Sequence, residues 1–375
     1  MSSKQIRDVV FIAHRYLGLV VGILAAAIAL TGSLLIIHHW TSPLFEQKVI
    51  IIPEGEPLTI NAIASKVQSA FPQLTLESLQ IPKEITEPIT VWWVAAGDKY
   101  SSASINPYTG VFLNQPKPDN AYTTFLWNIH INLLGGEKGA YVAGVVGLLT
   151  TILCITGIIL WPGWRRLVNG FKIKWNAKAK RLNFDLHKVV GIIAAVFLSM
   201  AMFTGFIWNY GTWTTPAIYA ATFSPQPPEE REIVSKAIPG KTSIQLTESL
   251  IQKANAALPE GKITSVYFPT EPKGTFRVEK ELPNEVWTSA YIDRYSGQII
   301  KADSLPGQKS IGDRVMDSFV PVHFGTFAGL PSRIMYVFVG VSHTILLITG
   351  FIMWRDRKGR KSERSPIIAS LSSKN

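Results

Sequence analysis

A chain of 375 residues, 47% hydrophobic and 17% charged, is long enough for two or three units of ordinary domain size. Its net charge of +11 does not mark a nucleic-acid binder: the N-terminus, the 163–188 connection and the stretch after Trp354 hold 18 of the 37 Lys/Arg and only 4 of the 26 Asp/Glu, which is the positive-inside pattern of a membrane protein. The single cysteine, Cys154, excludes an intrachain disulfide and any Cys-based metal or iron–sulfur site, and without Cys-x-x-Cys-His no covalent c-type haem can form.

Four long, nearly uncharged segments lie at about 9–37, 140–162, 187–210 and 332–354. A helix crosses the hydrocarbon core with roughly 20 apolar residues, so each is expected to span. Lys4 and Arg7 before the first segment resemble the start of a signal peptide, but the apolar run is too long for one and no cleavage site follows Trp40. Residues 1–40 are therefore read as a retained spanning helix. Residues 41–120 are soluble in composition. Apolar spacing predicts a helix over 58–71, then strands at 74–81, 89–95 and 100–105, a tight turn at Asn106-Pro107-Tyr108-Thr109-Gly110 and a returning strand at 111–113. In 121–164, the apolar stretch 122–134 is too short to span and is read as an interfacial helix carrying His130, ahead of the second span.

The connection 165–186 is basic and is placed in the cytoplasm, together with both termini. The third span, 187–210, opens on His187. Residues 211–318 form a second polar region: a loop with Pro225-Gln226-Pro227-Pro228, a helix at 245–258, strands at 263–268, 275–279 and 287–292, the turn Asp293-Arg294-Tyr295-Ser296-Gly297 and a strand at 298–302. Residues 319–355 repeat the interfacial histidine segment, with His323, and the fourth span; 356–375 are a basic tail. The tail is read as a topology signal, with lipid head-group binding by Arg355 to Lys361 as a secondary role.

The order of elements occurs twice. His14-Arg15-Tyr16-Leu17-Gly18 and His187-Lys188-Val189-Val190-Gly191 each place Thr-Gly seventeen and eighteen residues after the histidine, as Thr31-Gly32 and Thr204-Gly205. His130 and His323 are 193 residues apart, and so are Thr156-Gly157 and Thr349-Gly350. The expected fold is a four-helix transmembrane bundle with two small α+β outer domains and an internal duplication, its repeats parallel and related by an axis along the membrane normal.

All seven histidines lie in or beside the membrane segments, where ionisable side chains are costly and usually functional. A two-fold arrangement brings His14 to His187 near the cytoplasmic surface and His130 to His323 near the outer one. Such imidazole pairs suit axial ligation of haem iron; structural hydrogen bonding and direct binding of a transported metal ion are the alternatives. Arg15 and Lys188 are read either as propionate partners or as positive-inside charges, and Gly18 and Gly191 as room for a flat ring or as helix packing. The Thr-Gly steps are read as packing or kinks rather than ligands. His343 is either a buried hydrogen-bonding residue or a proton or alternative haem ligand. His38 and His39 are interfacial, with substrate or metal contact as the alternative.

These motifs, in this order, resemble the PepSY-associated transmembrane family over most of the chain: His14-Arg15-x-x-Gly to Thr31-Gly32, His130 before a glycine pair, His187-Lys188-x-x-Gly to Thr204-Gly205, and His323-Phe324-Gly325 to Thr349-Gly350, Met353-Trp354-Arg355. The resemblance implies a multi-pass protein of the bacterial inner membrane with PepSY-like periplasmic domains. It implies two b-type haems on His14, His130, His187 and His323, and reduction of a ferric siderophore or other ferric chelate. His38, His39 and His343 are outside the family's pattern. No nicotinamide or flavin fingerprint is present, so a separate cytoplasmic or quinol electron donor is expected. The competing reading is a non-enzymatic, membrane-anchored regulatory or binding protein that works through its PepSY-like domains.

Overall fold

The computed structural model describes residues 3–45, 49–95, 99–118, 120–226, 233–237, 248–282, 286–303 and 306–372. The chain forms two compact units: Met1–Phe45, Tyr122–Thr222 and Asp313–Asn375 make a helical unit, and Glu46–Ala121 with Phe223–Gly312 make a sheet unit.

The helical unit contains four helices long and apolar enough to cross a membrane. They lie within α1 (Ser3–Phe45), α4 (Gly136–Leu160), α6 (Ala179–Asn209) and α10 (Leu330–Ser372). The main contacts run α1–α4, α4–α6, α6–α10 and α10–α1, so α1 stands diagonally across the bundle from α6. Small residues let the backbones approach, as bilayer packing requires: a Cβ on Gly147 would stand 2.7 Å from the Met202 carbonyl oxygen. Between these spans lie α3 (Ala121–Asn132), α5 (Leu167–Phe171), α7 (Gly211–Ala221) and α9 (Ile311–Phe324). The short segments carrying His130 and His323, expected to be interfacial, are helical. Helix α7 is a difference: residues 211–222, expected to open the second polar region, belong to the helical unit. Their Tyr219 hydroxyl donates to Asp313 at the start of α9 at 2.5 Å.

The sheet unit holds α2 (Ile60–Ala70) and β1 (Thr75–Gln80), β2 (Ile89–Ala95), β3 (Lys99–Ile105) and β4 (Lys117–Pro118). It then holds α8 (Glu248–Ala257) and β5 (Lys262–Tyr267), β6 (Phe276–Leu282), β7 (Val286–Ile292) and β8 (Ile299–Ala302). The two stretches do not build separate sheets. Strands β1 and β5 pair antiparallel, Leu79 opposite Val266, and join one eight-stranded sheet in the order β4-β3-β2-β1-β5-β6-β7-β8. Each half buries its own apolar face under its own helix: Ile63, Ala64 and Val67 of α2 on Leu79, Val91 and Trp93, and Leu250, Ile251 and Ala254 of α8 on Val266, Val278 and Ala290. Lys280 sits on the second buried face, where its ammonium donates to the Leu258 carbonyl at 2.6 Å, and burial pushes its pKa down. The strand expected at 111–113 is reduced to a bridge between Phe112 and Ile105. Residues 227–228 of the proline-rich loop, 245–247 of the helix expected at 245–258, and the His39 side chain lie outside the described residues.

The two predicted turns have the same construction. Asn106 Oδ1 accepts from the backbone N–H of Tyr108 and Thr109, and Asp293 Oδ1 from those of Tyr295 and Ser296. Gly110 and Gly297 close them at φ +70° and +67°, a region that favours glycine. The Tyr108 hydroxyl donates to the Ile85 carbonyl, and that of Tyr295 to Pro272, each partner 187 residues on. Only the second turn is charged. Burial opposes ionisation of Asp293, but the N–H groups of Lys236, Ser296 and Tyr295 outweigh it and hold the carboxyl below the usual carboxylate range. A lowered folded-state pKa contributes stability above the unfolded value of about 3.9, and that contribution is lost as pH falls through the folded value. Amide exchange in the 293–298 turn, corrected for intrinsic rates, is expected to accelerate below about pH 4 in the native chain. In Asp293→Asn, which copies the neutral first turn, this acid limb should be absent.

Candidate functional site

Helices α1 and α6 are diagonal neighbours, so residues at matching depth on their inner faces meet across the bundle. His14 and His187 do so, with ring centroids 6.3 Å apart and planes at 88°. At the other end, His130 of α3 and His323 of α9 meet with centroids 5.9 Å apart and planes at 66°. The pairs are far apart along the bundle. His130 is seated at Ile28, Thr31 and Gly32 of α1, fourteen to eighteen residues beyond His14, which at 1.5 Å per residue is roughly 21–27 Å.

Each ring is held from behind through Nδ1. His14 Nδ1 donates to the Leu153 carbonyl at 3.2 Å and lies 3.0 Å from the Thr156 hydroxyl. His130 Nδ1 donates to the Ile28 carbonyl at 2.8 Å and lies 3.5 Å from the Thr31 hydroxyl. His187 Nδ1 is 2.8 Å from the Thr349 hydroxyl and His323 Nδ1 is 2.7 Å from that of Thr204. The glycine after each threonine leaves room for the same ring: a Cβ on Gly32 would stand 2.8 Å from His130 Cε1, on Gly157 3.1 Å from His14 Cε1, on Gly350 3.5 Å from His187 Cε1, and on Gly205 3.7 Å from His323 Cε1. With Nδ1 engaged, Nε2 is the nitrogen left to face the partner ring.

The spacing carries chemical information. A metal–imidazole bond of about 2.0 Å plus about 1.1 Å from nitrogen to ring centre puts two rings on opposite sides of one ion about 6.2 Å apart, and two rings at a tetrahedral angle about 5.1 Å apart. The observed 6.3 and 5.9 Å fit the opposed arrangement. No group of three or more His, Cys, Asp or Glu with metal-binding geometry occurs among the described residues. Two opposed imidazoles therefore make a complete protein ligand set only for a metal that brings its in-plane donors with it, and the residues present fit a haem.

The surroundings divide the remaining candidates. Arg15 has a buried Nε with no hydrogen-bond partner among the described residues, and its guanidinium lies 4.6 Å from the Tyr16 ring centre. It is therefore available to a carboxylate. Lys188 is not: its ammonium is 2.8 Å from the fully buried Asp185 carboxylate and donates to the Asn169 carbonyl at 2.7 Å. Asp185 also accepts from Arg181 at 3.1 Å and from the Lys174 backbone N–H at 3.2 Å, tying the 165–186 connection to α6. Asp185 was readable at three residues before Lys188 and four after Arg181, spacings that bring helix side chains together. Trp208 packs at a tilt against the His130–His323 pair, its ring centre 4.7 Å from that of His323 and the planes at 54°. His38 is tied to α3, Nε2 3.1 Å from the Thr123 hydroxyl. His343 is buried on α10 and belongs to neither pair.

Four membrane-length helices among the described residues, with one histidine pair on α1 and α6 and a second on the short helices α3 and α9, define a multi-pass membrane protein with paired histidines. The PepSY-associated TM region family matches residues 11–357, nearly the whole chain, and the chain belongs to that family. Among curated proteins none matches it.

Proposed function

We propose that the chain is a dihaem b-type membrane oxidoreductase that passes electrons from a donor on the cytoplasmic side to a ferric chelate, such as a ferric siderophore, in the periplasm. The observation that carries this reading is the opposed ring spacing at both ends of one bundle. His14 and His187 hold one haem b and His130 and His323 the other; a haem supplies a one-electron carrier that a helix bundle can bury. Arg15 takes a propionate, while Lys188 serves the buried ion pair with Asp185. Each Fe(III) of the chelate takes one electron and is released as Fe(II), which hard oxygen ligands hold less well.

The charge distribution supports cytoplasmic termini in a bacterial inner membrane, with the sheet unit in the periplasm. An internal duplication is supported by matched offsets: 173 residues for His14 and Thr31, 193 for His130 and Thr156, and 187 between the two turns. Under that reading each half supplies one histidine to each pair. A purely regulatory or binding role gives the opposed histidines no task. In sealed proteoliposomes with pre-reduced protein, an impermeant ferric chelate added on the sheet-unit side is expected to reoxidise the haems and release Fe(II), and Ala at His130 or His323 should abolish this. Reduced haems that ignore ferric chelates but yield to another acceptor would remove the ferric-reductase assignment.

A further inference from the structure

We propose that the four Thr-Gly steps are the positioning elements of the four histidines, each threonine hydroxyl accepting the Nδ1 proton of its ring so that Nε2 turns a bare lone pair toward the opposite histidine. The role of that lone pair rests on the haem-ligand reading above. A threonine hydroxyl has one proton to give. In all four cases it has a carbonyl of its own helix within reach: Thr31 on Ala27 at 2.7 Å, Thr156 on Leu153 at 2.8 Å, Thr204 on Ala201 at 2.9 Å and Thr349 on Ile345 at 2.7 Å. This is the usual back-bond of a helical threonine. With the proton spent there, the oxygen can only accept from the imidazole. At His14 and His130 a backbone carbonyl also reaches Nδ1, and a carbonyl can only accept, so it independently requires Nδ1–H. The neutral ring then has one tautomer, with its lone pair on Nε2.

The wiring is reciprocal within each half of the chain. The step on α1 holds His130, which precedes α4, and the step on α4 holds His14 of α1. The step on α6 holds His323, which precedes α10, and the step on α10 holds His187 of α6. After Thr31 and Thr156 the imidazole edge crowds the place a side chain would take, at 2.8 and 3.1 Å from it, whereas at Gly205 and Gly350 a methyl would make ordinary contact with the ring. At Gly32 a methyl would have to displace His130 outright, since 2.8 Å is inside any real carbon contact.

The test uses the full chain in nanodiscs, with Thr349→Val, Thr349→Ser and Thr204→Val, the two native hydroxyls lying 2.8 and 2.7 Å from the rings they hold. Valine keeps the shape and removes the hydroxyl; serine keeps the hydroxyl. Thr349→Val is expected to weaken haem binding at the His14–His187 end by about 10- to 100-fold, the usual cost of losing a group that orients a ligand, and to shift the midpoint potential of that end alone. Thr204→Val should do the same at the other end, and Thr349→Ser should restore native behaviour. The unaffected end reports that each variant is folded. Nitrogen-15 spectra of histidine-labelled apoprotein should show Nδ1–H at His187 in the native chain and a tautomer mixture in Thr349→Val. Native affinity, potential and tautomer in both valine variants would overturn the proposal, as would loss of both ends in the serine variant. A native protein that takes up no haem at all sinks the haem reading instead, while the apoprotein spectra still decide what the threonines do.

Discussion

Replacing His187 with alanine is expected to lower haem content from two per chain to one, with the loss confined to the His14 end. That site has two protein donors, His14 on α1 and His187 on α6, and no third His, Cys, Asp or Glu completes a metal-binding group with them among the described residues. Any haem that His14 alone would still hold there should lose the low-spin signature of two imidazoles. The outer pair should not respond. It stands fourteen to eighteen helical residues away, roughly 21–27 Å by helical rise, and sites that far apart with no shared partners act independently. His323→Ala should give the mirror result. His343→Leu should retain both haems, because His343 belongs to neither pair. Pyridine haemochrome content with separate redox titration of the two sites measures all three. Two intact haems in His187→Ala, or one in the fully loaded native chain, would refute the ligand assignment.

Asp185→Asn is expected to destabilise the helical unit by about 3–5 kcal/mol, the cost of leaving a buried charge without its partner. Asp185 is fully buried and Lys188 is 7% exposed, 2.8 Å away. Neutralising the aspartate leaves the buried lysine ammonium without a counter-charge, held by the Asn169 carbonyl and an uncharged amide oxygen. It also weakens the links to Arg181 and to the Lys174 backbone. The reverse change is milder: Lys188→Met leaves Asp185 with Arg181 and Lys174 and replaces the ammonium by a shape the bundle tolerates. Thermal unfolding in detergent measures both, and Asp185→Asn should fall far below Lys188→Met. Equal effects would mean that the network is not organised around Asp185. If Lys188 instead held a propionate, Lys188→Met would shift the inner potential with little change in stability.

Much of this was readable before any fold. The four spans, the interfacial helices and most strands follow from apolar periodicity, because a span must be apolar along its length and a half-buried strand must alternate. The meeting of His14 with His187 and His130 with His323 followed from equal offsets in sequence, since repeated segments in a parallel arrangement place equivalent residues at equal depth. The tight turns were legible because Asn106 or Asp293 and a glycine four residues later have few other uses.

What only the tertiary structure decided concerns partners rather than elements. The β1–β5 pairing that makes one sheet of two is formed by backbone groups, which every residue carries, so no side-chain pattern announces it. Helix α7 followed a span end that polar and aromatic residues disguised as a loop. The Thr-Gly steps read equally well as packing, because a small residue is needed wherever anything comes close, and nothing local says whether the close object is a backbone or an imidazole. Lys188 and Arg15 occupy equivalent places beside equivalent histidines, yet one is paired and the other is not. The difference lies in Asp185, one turn before Lys188; at the equivalent place before Arg15 stands Ile12. That substitution is written in the sequence, but its consequence depends on burial, which raises the cost of an unpaired charge and so decides which of the two cations the fold must neutralise for itself.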